Sequence, residues 1–337
     1  MFSHTVPKKL LEQFAYYDLR TKSRRLWQYQ KGRPPWWKAS PGRATAWEGH
    51  FVDPANGAKE EQLELRLKQE FEDPVNQFLE MIGYCTFVLN STHIRLLTGY
   101  MRMLFTRSRA RQAASKGQTE TMIEALRSLR SNEQRISELI GKWTMDLIGA
   151  GVANRLVTRE EVIRSIDREI EKHSAGSDPQ RRYIHALETM TEFADENVLN
   201  GDWRIVRTDP DKPFVIGDAP VVTWERTDNN LIYFGQGFAR PNVEACLPVS
   251  PTACLYVLPR VVRTRPVFAP TSREVNMAQA AFATQHCYGN VNSPDIDAVL
   301  QQEFGKVRLG ITGFNTNHID YNQVLFDLLM GRRPRAA

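Results

Sequence analysis

One short segment of the sequence combines a carboxylate with the pattern of a break between buried strands. Residues 214–222 read Phe-Val-Ile-Gly-Asp-Ala-Pro-Val-Val, an apolar run that Gly217 to Pro220 interrupt. The apolar pieces predict two buried strand segments, and Gly217 permits a close backbone approach between them. A carboxylate at Asp218 would be partly desolvated, which makes it a candidate base or cation stabiliser. The other interpretation is an Asx turn that caps nearby backbone N–H groups.

Two further motifs lie near the chain start and in its second half. His4 begins the sequence His-Thr-Val-Pro-Lys, in which Pro7 suits the first turn of a helix that starts at Lys8. A histidine at this place is most simply a surface residue. Residues 247–251 read Leu-Pro-Val-Ser-Pro, which by itself predicts an edge strand followed by a turn.

The first 56 residues are both basic and aromatic. Ten Lys and Arg residues against four acids give this segment a local charge of +6, and it contains four of the seven tryptophans. Basic groups attract phosphates, and flat aromatic rings stack on bases or wedge into a duplex. The segment therefore predicts a nucleic-acid surface, with Lys8 at a phosphate and Trp36 or Trp37 against a base. In the alternative interpretation the aromatic residues face a core and the basic residues are solvated.

A second basic cluster lies between residues 102 and 130, which contain seven Lys and Arg residues and only two glutamates. Arg107, Arg109 and Arg111 are spaced by two, and we expect them to reach phosphates from a helix end. The alternative is a solvated helix terminus that complements the helix dipole. Residues 59–80, between the two clusters, carry seven acids and three bases.

Composition and missing motifs narrow the class of protein. The chain has 337 residues, 42% of them apolar, and a net charge of +5, which is ordinary globular composition. No apolar run is long enough for a membrane span, and four cysteines without a Cys-x-x-Cys pair fit a reducing cytoplasm. The sequence lacks nucleotide-binding glycine motifs, a nucleophile elbow and zinc-ligand spacing. We therefore expect a cytoplasmic protein without a membrane segment, and neither a metal site nor a cofactor is predicted.

The periodicity of the chain predicts an α+β fold. Residues 25–30 alternate as a strand, the middle of the chain is helical, and short β-rich runs begin at Trp203. Helices are predicted at 273–285 and 295–304. We expect a mixed or antiparallel sheet built from N-terminal and C-terminal strands, with a large helical middle. The whole chain, 1–337, is predicted to be one domain, within which 57–200 can form an inserted helical subdomain.

The order of the motifs resembles that of a known family. His-x-Val-Pro-Lys, Leu-Trp-Gln-Tyr at 26–29, Gly-Asp-Ala-Pro-Val, Leu-Pro-Val-Ser-Pro and Val-Asn at 275–276 together resemble the bacterial domain-of-unknown-function family 4238 over roughly residues 3–290. Gly217 stands where that family usually has serine. The resemblance implies a place in antiphage defence loci, and the chain is also similar to antiphage DNA glycosylases that remove hypermodified cytosine. By motif, it singles out these positions: His4, Pro7, Lys8, Asp218, Pro220 and Asn276.

The expected function is hydrolysis of the N-glycosidic bond of a modified cytosine, such as a glucosylated hydroxymethylcytosine, in phage DNA. The reaction builds positive charge on the sugar and leaves an abasic site, and no cofactor is needed. We assign Asp218 as the carboxylate, His4 as an acid or phosphate contact, and Asn276 as the amide that orients base or water. Phosphate contacts are predicted at these residues: Lys8, Arg107, Arg109 and Arg111.

Two other functions remain open at this point. A metal-dependent nuclease would need several acids with a lysine, and Asp209, Asp211, Lys212 and Asp218 are close in sequence. A non-enzymatic sensor would instead bind a phage component and signal through the helical middle. A nuclease differs from a glycosylase in cutting phosphodiesters directly and in stopping with EDTA.

Overall fold

The computed structural model describes residues 2–48, 59–84, 86–108, 120, 123–149, 156–175, 187, 200–226, 232–234, 242–258 and 268–307. Arg109 and Arg111 lie outside the described residues. The side chains of His4, Trp36 and Trp37 are likewise outside the description, although their backbone lies in strands. Helices and antiparallel sheets occur together in the described residues, which confirms the α+β fold class.

The helices of the described residues fall into three groups along the chain. Two short helices lie near the N-terminus, six follow in the middle of the chain, and two lie among the C-terminal strands. The helices are α1 (Lys8–Gln13), α2 (Pro41–Ala44), α3 (Lys59–Leu67), α4 (Asp73–Asn76), α5 (Leu79–Ile82), α6 (Ser91–Arg107), α7 (Glu133–Gly149), α8 (Arg159–Ala175), α9 (Ser272–Phe282) and α10 (Pro294–Glu303). No helix in the described parts of the chain is long and apolar enough to cross a membrane.

A π-helical segment connects α3 to α4. This segment, Lys68–Glu72, runs directly into α4, which begins at Asp73 and has Pro74 in its first turn. Proline has no N–H to donate and crowds the preceding turn. The wider π turn accommodates this missing hydrogen bond without ending the helix.

The chain divides into two compact units, each with its own core. The first contains residues 1–114 and 183–313, and the second contains 115–182 and 314–337. In the described part of the second unit, α7 and α8 bury Trp143 and Val162 between them. A capping box is present at the start of α8, because Thr158 and Glu161 each accept the other's main-chain N–H.

An antiparallel five-stranded sheet forms one half of the first unit. Its strands follow the order β6 (Asp202–Arg207), β11 (Ala253–Leu258), β10 (Val243–Ser250), β8 (Val222–Arg226) and β9 (Ile232–Phe234). Both β10 and β11 are almost wholly buried, as their near-continuous apolar sequences require. The short runs predicted from Trp203 onward are therefore strands, and all but the one around Ile216 belong to this sheet.

A second antiparallel sheet joins the two ends of the sequence. Its strands are β2 (Tyr16–Asp18), β3 (Ser23–Gln30), β12 (His286–Gly289) and β7 (Ile216–Gly217), and β4 (Arg33–Ala39) also pairs with β3. A separate two-stranded pair is formed by β1 (Phe2–His4) and β5 (Ala46–Glu48). The expectation that N-terminal strands join the later ones is confirmed.

Strand β4 includes two consecutive prolines, Pro34 and Pro35. The turn is confined to Lys31 and Gly32, and pairing resumes with Gln30 opposite Arg33. The register shifts between Gln28 and Gln30, opposite the two prolines. Proline cannot donate to a ladder, so it is tolerated at such an irregularity and on a strand that pairs on one side.

The chain changes sheets at the predicted break. Strand β7 ends at Gly217 in the second sheet, and β8 begins at Val222 in the first. Asp218 therefore lies at the crossover between two sheets, in a segment that is buried throughout.

Candidate active site

A cavity of about 690 Å³ in the first unit has Asp218 in its wall. The second sheet contributes Arg24, Arg25 and Gln28 from β3 and His286 and Tyr288 from β12. The chain around α2 contributes further lining residues, among them Ser40 and Arg43, and Thr5 contributes from the end of β1. Residues from five separate stretches of sequence thus meet at one site: Thr5, Ser23 to Gln28, Ala39 to Thr45, Asp218, and His286 with Tyr288.

The Asp218 carboxylate is held by the turn between α9 and β12. The main-chain N–H groups of Thr284, Gln285 and His286 and the Thr284 hydroxyl all donate to it, at distances of 2.8 to 3.2 Å. Its own N–H donates to the His286 carbonyl at 3.0 Å. The side chain is only 5% exposed. The carboxylate therefore caps backbone N–H groups, but these belong to a turn 66 to 68 residues later in the chain and not to a local Asx turn. It also borders the cavity, and its role as a base or cation stabiliser stays a prediction.

The close packing of α9 on β7 fixes the crossover. A Cβ added at Gly217 would lie 2.9 Å from the Gln279 carbonyl oxygen, so only glycine fits there. The Gln279 side chain accepts from the Gly217 N–H at 2.7 Å and donates to the Pro220 carbonyl at 2.8 Å. One buried amide therefore ties down the backbone on both sides of Asp218.

Asn276 acts in the same way one turn earlier on α9. Its side-chain oxygen accepts from the Val215 N–H at 2.9 Å, and its NH₂ donates to the Pro213 carbonyl at 3.0 Å. It is 5% exposed and does not border the cavity. The structure thus places Asn276 as a brace for the backbone that leads to β7, instead of against a base or a water molecule. Gln279, three residues later, was missed, although this spacing puts both amides on one helix face.

The positive charge of the cavity comes from arginines that entered the sequence analysis only through the net charge of the first 56 residues. Arg24, Arg25 and Arg43 border the cavity together with Asp218 as its one described carboxylate. Three guanidinium groups near one carboxylate favour an anionic ligand such as a phosphate. The +6 charge of the first 56 residues therefore does reach a concave site, through residues that were not singled out.

Arg107 occupies a different environment from the expected phosphate surface. It is 1% exposed, and its guanidinium donates to Glu64 at 2.9 Å and to Glu72 at 2.6 Å. Burial raises the pKa of the neighbouring Tyr100, and the Glu72 carboxylate adds to this effect. Arg107 is thus a structural cation inside the first unit, because its helix face packs toward acidic α3 and the π-helical segment.

The other predicted residues are Lys8, His4, Trp36 and Trp37, and none of them borders the cavity through a described side chain. Lys8 is exposed at the start of α1, within 3.6 Å of Glu12. His4 ends β1, and its neighbour Thr5 borders the cavity. Trp36 and Trp37 belong to β4, with Trp37 opposite Gln28. The backbone therefore brings the segments of His4 and Trp37 to the cavity.

Sequence reasoning missed three polar residues of the cavity wall. His286 and Tyr288 alternate on β12, their rings 6.1 Å apart, and the Tyr288 hydroxyl donates to the Ala44 carbonyl at 2.5 Å. The buried Thr5 hydroxyl has no hydrogen-bond partner among the described residues. A polar atom of this kind is ready to bond a ligand. The alternation of His286 and Tyr288 was the one sequence signal for their shared face.

Cys287 and the acidic residues give no support to other chemistry at this site. Burial raises the pKa of the Cys287 thiol, and the Asp218 carboxylate raises it further, which disfavours a thiolate nucleophile. Within the described ranges no three His, Cys, Asp or Glu side chains are grouped to hold a metal ion. Asp209 and Asp211 lie on an exposed turn, where the Lys212 N–H donates to the Asp209 carbonyl.

Charge reversal of a cavity arginine tests whether the site binds phosphates. We expect Arg43→Glu to weaken DNA binding and to reduce the slope of log affinity against log salt by about 1, because one phosphate contact is lost. Fluorescence anisotropy over a range of salt concentrations measures both. Arg95→Glu is the matched control, since Arg95 is exposed on α6 and borders neither described cavity. Equal effects of the two variants would contradict a specific role for the cavity.

Comparison with known proteins gives one match. Residues 3–293 match the model of a family described as protein of unknown function (DUF4238). Neither the comparison with curated proteins nor that with solved structures gives a match. The matched range includes every residue of the cavity wall.

Proposed function

The chain belongs to the DUF4238 family, described only as proteins of unknown function, and from its cavity we propose that it is a DNA glycosylase. The substrate would be a modified cytosine, such as a glucosylated hydroxymethylcytosine, in phage DNA. The observation that carries the proposal is the fixed Asp218 carboxylate in a cavity that also presents three arginines. Phage DNA enters the cytoplasm, which is the location that this activity requires.

The chemistry of N-glycoside hydrolysis matches these groups. Departure of the base leaves positive charge on the sugar, and a nearby carboxylate stabilises that charge or orients the attacking water. Four hydrogen bonds hold the Asp218 carboxylate in place before substrate arrives, so no reorganisation is needed during the reaction. The arginines bind the phosphates that flank the nucleotide.

Protonation of the leaving base needs an acid on the other side of the glycosidic bond. His286 borders the cavity and lies two residues from Tyr288 on the same strand face. We assign the acid role to His286, and His4 remains the second candidate through its neighbour Thr5. The flipped nucleotide needs a replacement in the stack, which Trp36 or Trp37 on β4 would supply.

The size of the cavity fits a nucleotide with an enlarged base. Its volume of about 690 Å³ lies within the range of about 300–1,000 Å³ typical of small-molecule sites. This leaves room for a sugar substituent on the cytosine ring.

The test compares phage DNA that carries glucosylated hydroxymethylcytosine with plain DNA. Purified full-length protein is expected to produce strand breaks only in the modified DNA and only after alkali, because abasic sites break under alkali. EDTA should leave the result unchanged. Direct breaks that EDTA stops would instead indicate a nuclease, and no breaks under either condition would indicate a non-enzymatic sensor.

A further inference from the structure

A second cavity lies beside the candidate active site, and Arg24 borders both. Its volume is about 640 Å³. It contains the end of the Leu-Pro-Val-Ser-Pro motif, which the proposed reaction does not use. The Ser250 hydroxyl accepts from the N–H groups of Thr252 and Ala253, and this tight turn forms one wall.

Two tyrosines with largely exposed rings border this second cavity. Tyr17 is 60% exposed and Tyr84 is 65% exposed. Exposed aromatic rings in a groove are the usual platform on which nucleic-acid bases stack. Tyr17 pairs directly opposite Arg24 in the β2–β3 hairpin, which puts both side chains on one face.

The backbone that carries Tyr84 is anchored. The Arg207 guanidinium donates to the Gly83 carbonyl at 2.7 Å, to the Ile82 carbonyl at 2.9 Å and to the Tyr84 carbonyl. Ile82 is the last residue of α5, and Gly83 and Tyr84 follow it, so this arginine caps the C-terminal end of the helix. An arginine on β6 therefore holds the backbone that carries this exposed ring.

A buried acceptor completes the second cavity. The side-chain oxygen of Asn290 is buried and has no hydrogen-bond partner among the described residues. Asn290 comes directly after β12, and Tyr288, which borders the first cavity, lies two residues before it. Residues two apart in a chain are at most about 7 Å apart. The chain at the end of β12 thus runs from the candidate active site to the second cavity.

The charges of the two cavities differ in sign. The first has three arginines and one aspartate, whereas the second has Arg24 with Glu12 and Glu80. Carboxylates repel a phosphate but accept hydrogen bonds from the amino groups of a neutral base. The second cavity therefore favours a neutral base, and Arg24, which borders both cavities, favours a phosphate between them.

We propose that the second cavity binds the nucleobase adjacent to the target nucleotide on a single DNA strand, with Arg24 at the phosphate that joins the two. Tyr17 and Tyr84 stack on this base, and Asn290 accepts a hydrogen bond from its amino group. This inference rests on the proposed function in that it takes the first cavity as the target-nucleotide site. It adds a contact with the neighbouring nucleotide, which would make the protein select a local sequence as well as a modification.

The test measures how much a second nucleotide adds to binding. Isothermal titration calorimetry uses three ligands: the deoxynucleoside monophosphate of glucosylated hydroxymethylcytosine, and the two deoxydinucleotides that join this nucleotide to deoxyadenosine in either order. It gives one dissociation constant for each ligand. For the wild-type protein the dinucleotide in one order is expected to bind more tightly than the mononucleotide. In the variant Tyr17→Ala/Tyr84→Ala the dinucleotide dissociation constant should rise about 5- to 100-fold, the range for loss of base stacking.

The controls separate this subsite from the catalytic proposal. Mononucleotide binding should stay within about twofold of wild type in the double variant, and Phe268→Ala, which removes a ring that is 77% exposed elsewhere, should change neither constant. Asn290→Ala should lower the gain from the second nucleotide without altering mononucleotide binding. An unchanged dinucleotide constant in the double variant overturns the subsite, even where base release is observed. The double variant can lose the extra affinity for the dinucleotide while the wild-type protein shows no base release. That result supports the subsite and overturns only the glycosylase proposal.

Discussion

Asp218→Asn is expected to lower the rate of base release from modified DNA by about 10²- to 10⁴-fold, the range for loss of a positioned catalytic group. The amide has the shape of the carboxylate but cannot stabilise positive charge on the sugar. Single-turnover kinetics on DNA with glucosylated hydroxymethylcytosine, read as alkali-labile sites, measures the effect. A variant that releases the base at the wild-type rate would show that Asp218 is structural only.

The same substitution also weakens the fold, so the design needs a control for stability. Four hydrogen-bond donors point at the Asp218 carboxylate. In the asparagine variant an NH₂ group replaces one acceptor oxygen, so at least one of these donors would face another donor. The cost is about 1–3 kcal/mol. Rates must therefore be compared at a temperature where urea titration shows each variant to be folded.

Thr284→Val is the matched control for that structural cost. It removes the hydroxyl that donates to Asp218 at 2.8 Å and keeps the N–H donor and the carboxylate. We expect a loss of stability of about 1 kcal/mol with base release close to wild type. If Thr284→Val lost activity as strongly as Asp218→Asn, the effect of Asp218 would have to be assigned to positioning of the turn.

The sequence predicted the break at Asp218 but not what holds it. The apolar pieces, glycine and proline that mark the break are local, so the pattern could be read directly. The donors to the carboxylate lie 66 to 68 residues later in the chain, after α9. Only the packing of that helix on β7 brings them together, and nothing local to Asp218 encodes it.

The charge pattern was informative for a segment and misleading for individual residues. The basic N-terminal stretch does supply cavity arginines, since Arg24, Arg25 and Arg43 all belong to it. The choice among them depends on the cross-strand pairing of β3 and on the fold of the α2 segment, which local spacing does not encode. The order of the motifs singled out both Asp218 and Asn276, but only Asp218 borders the cavity. The sequence alone does not distinguish an asparagine that braces the backbone from one that contacts a substrate.

The buried position of Arg107 leads to the second large expected effect. Arg107→Met keeps most of the side-chain volume but leaves two carboxylates, Glu64 and Glu72, without the guanidinium that they share. Removing one partner of a buried ion pair costs about 3–5 kcal/mol, since the remaining charge is poorly solvated. Urea unfolding should show this loss, whereas Arg95→Met on the exposed face of the same helix should stay within about 0.5 kcal/mol.

Neutralising the acids distinguishes an ion-pair role from a phosphate contact. In the triple variant Arg107→Met/Glu64→Gln/Glu72→Gln no unpaired carboxylate of this cluster remains, so most of the lost stability should return. The salt dependence of DNA binding should be the same in this variant as in wild type, because the Arg107 guanidinium is 1% exposed and does not border the cavity. A salt slope reduced by about 1 in the refolded triple variant would instead identify Arg107 as a phosphate contact. We therefore expect stability to depend on Arg107 and the salt slope of DNA binding to depend on Arg43. This difference follows from the burial of Arg107 and could not be predicted from a count of charges.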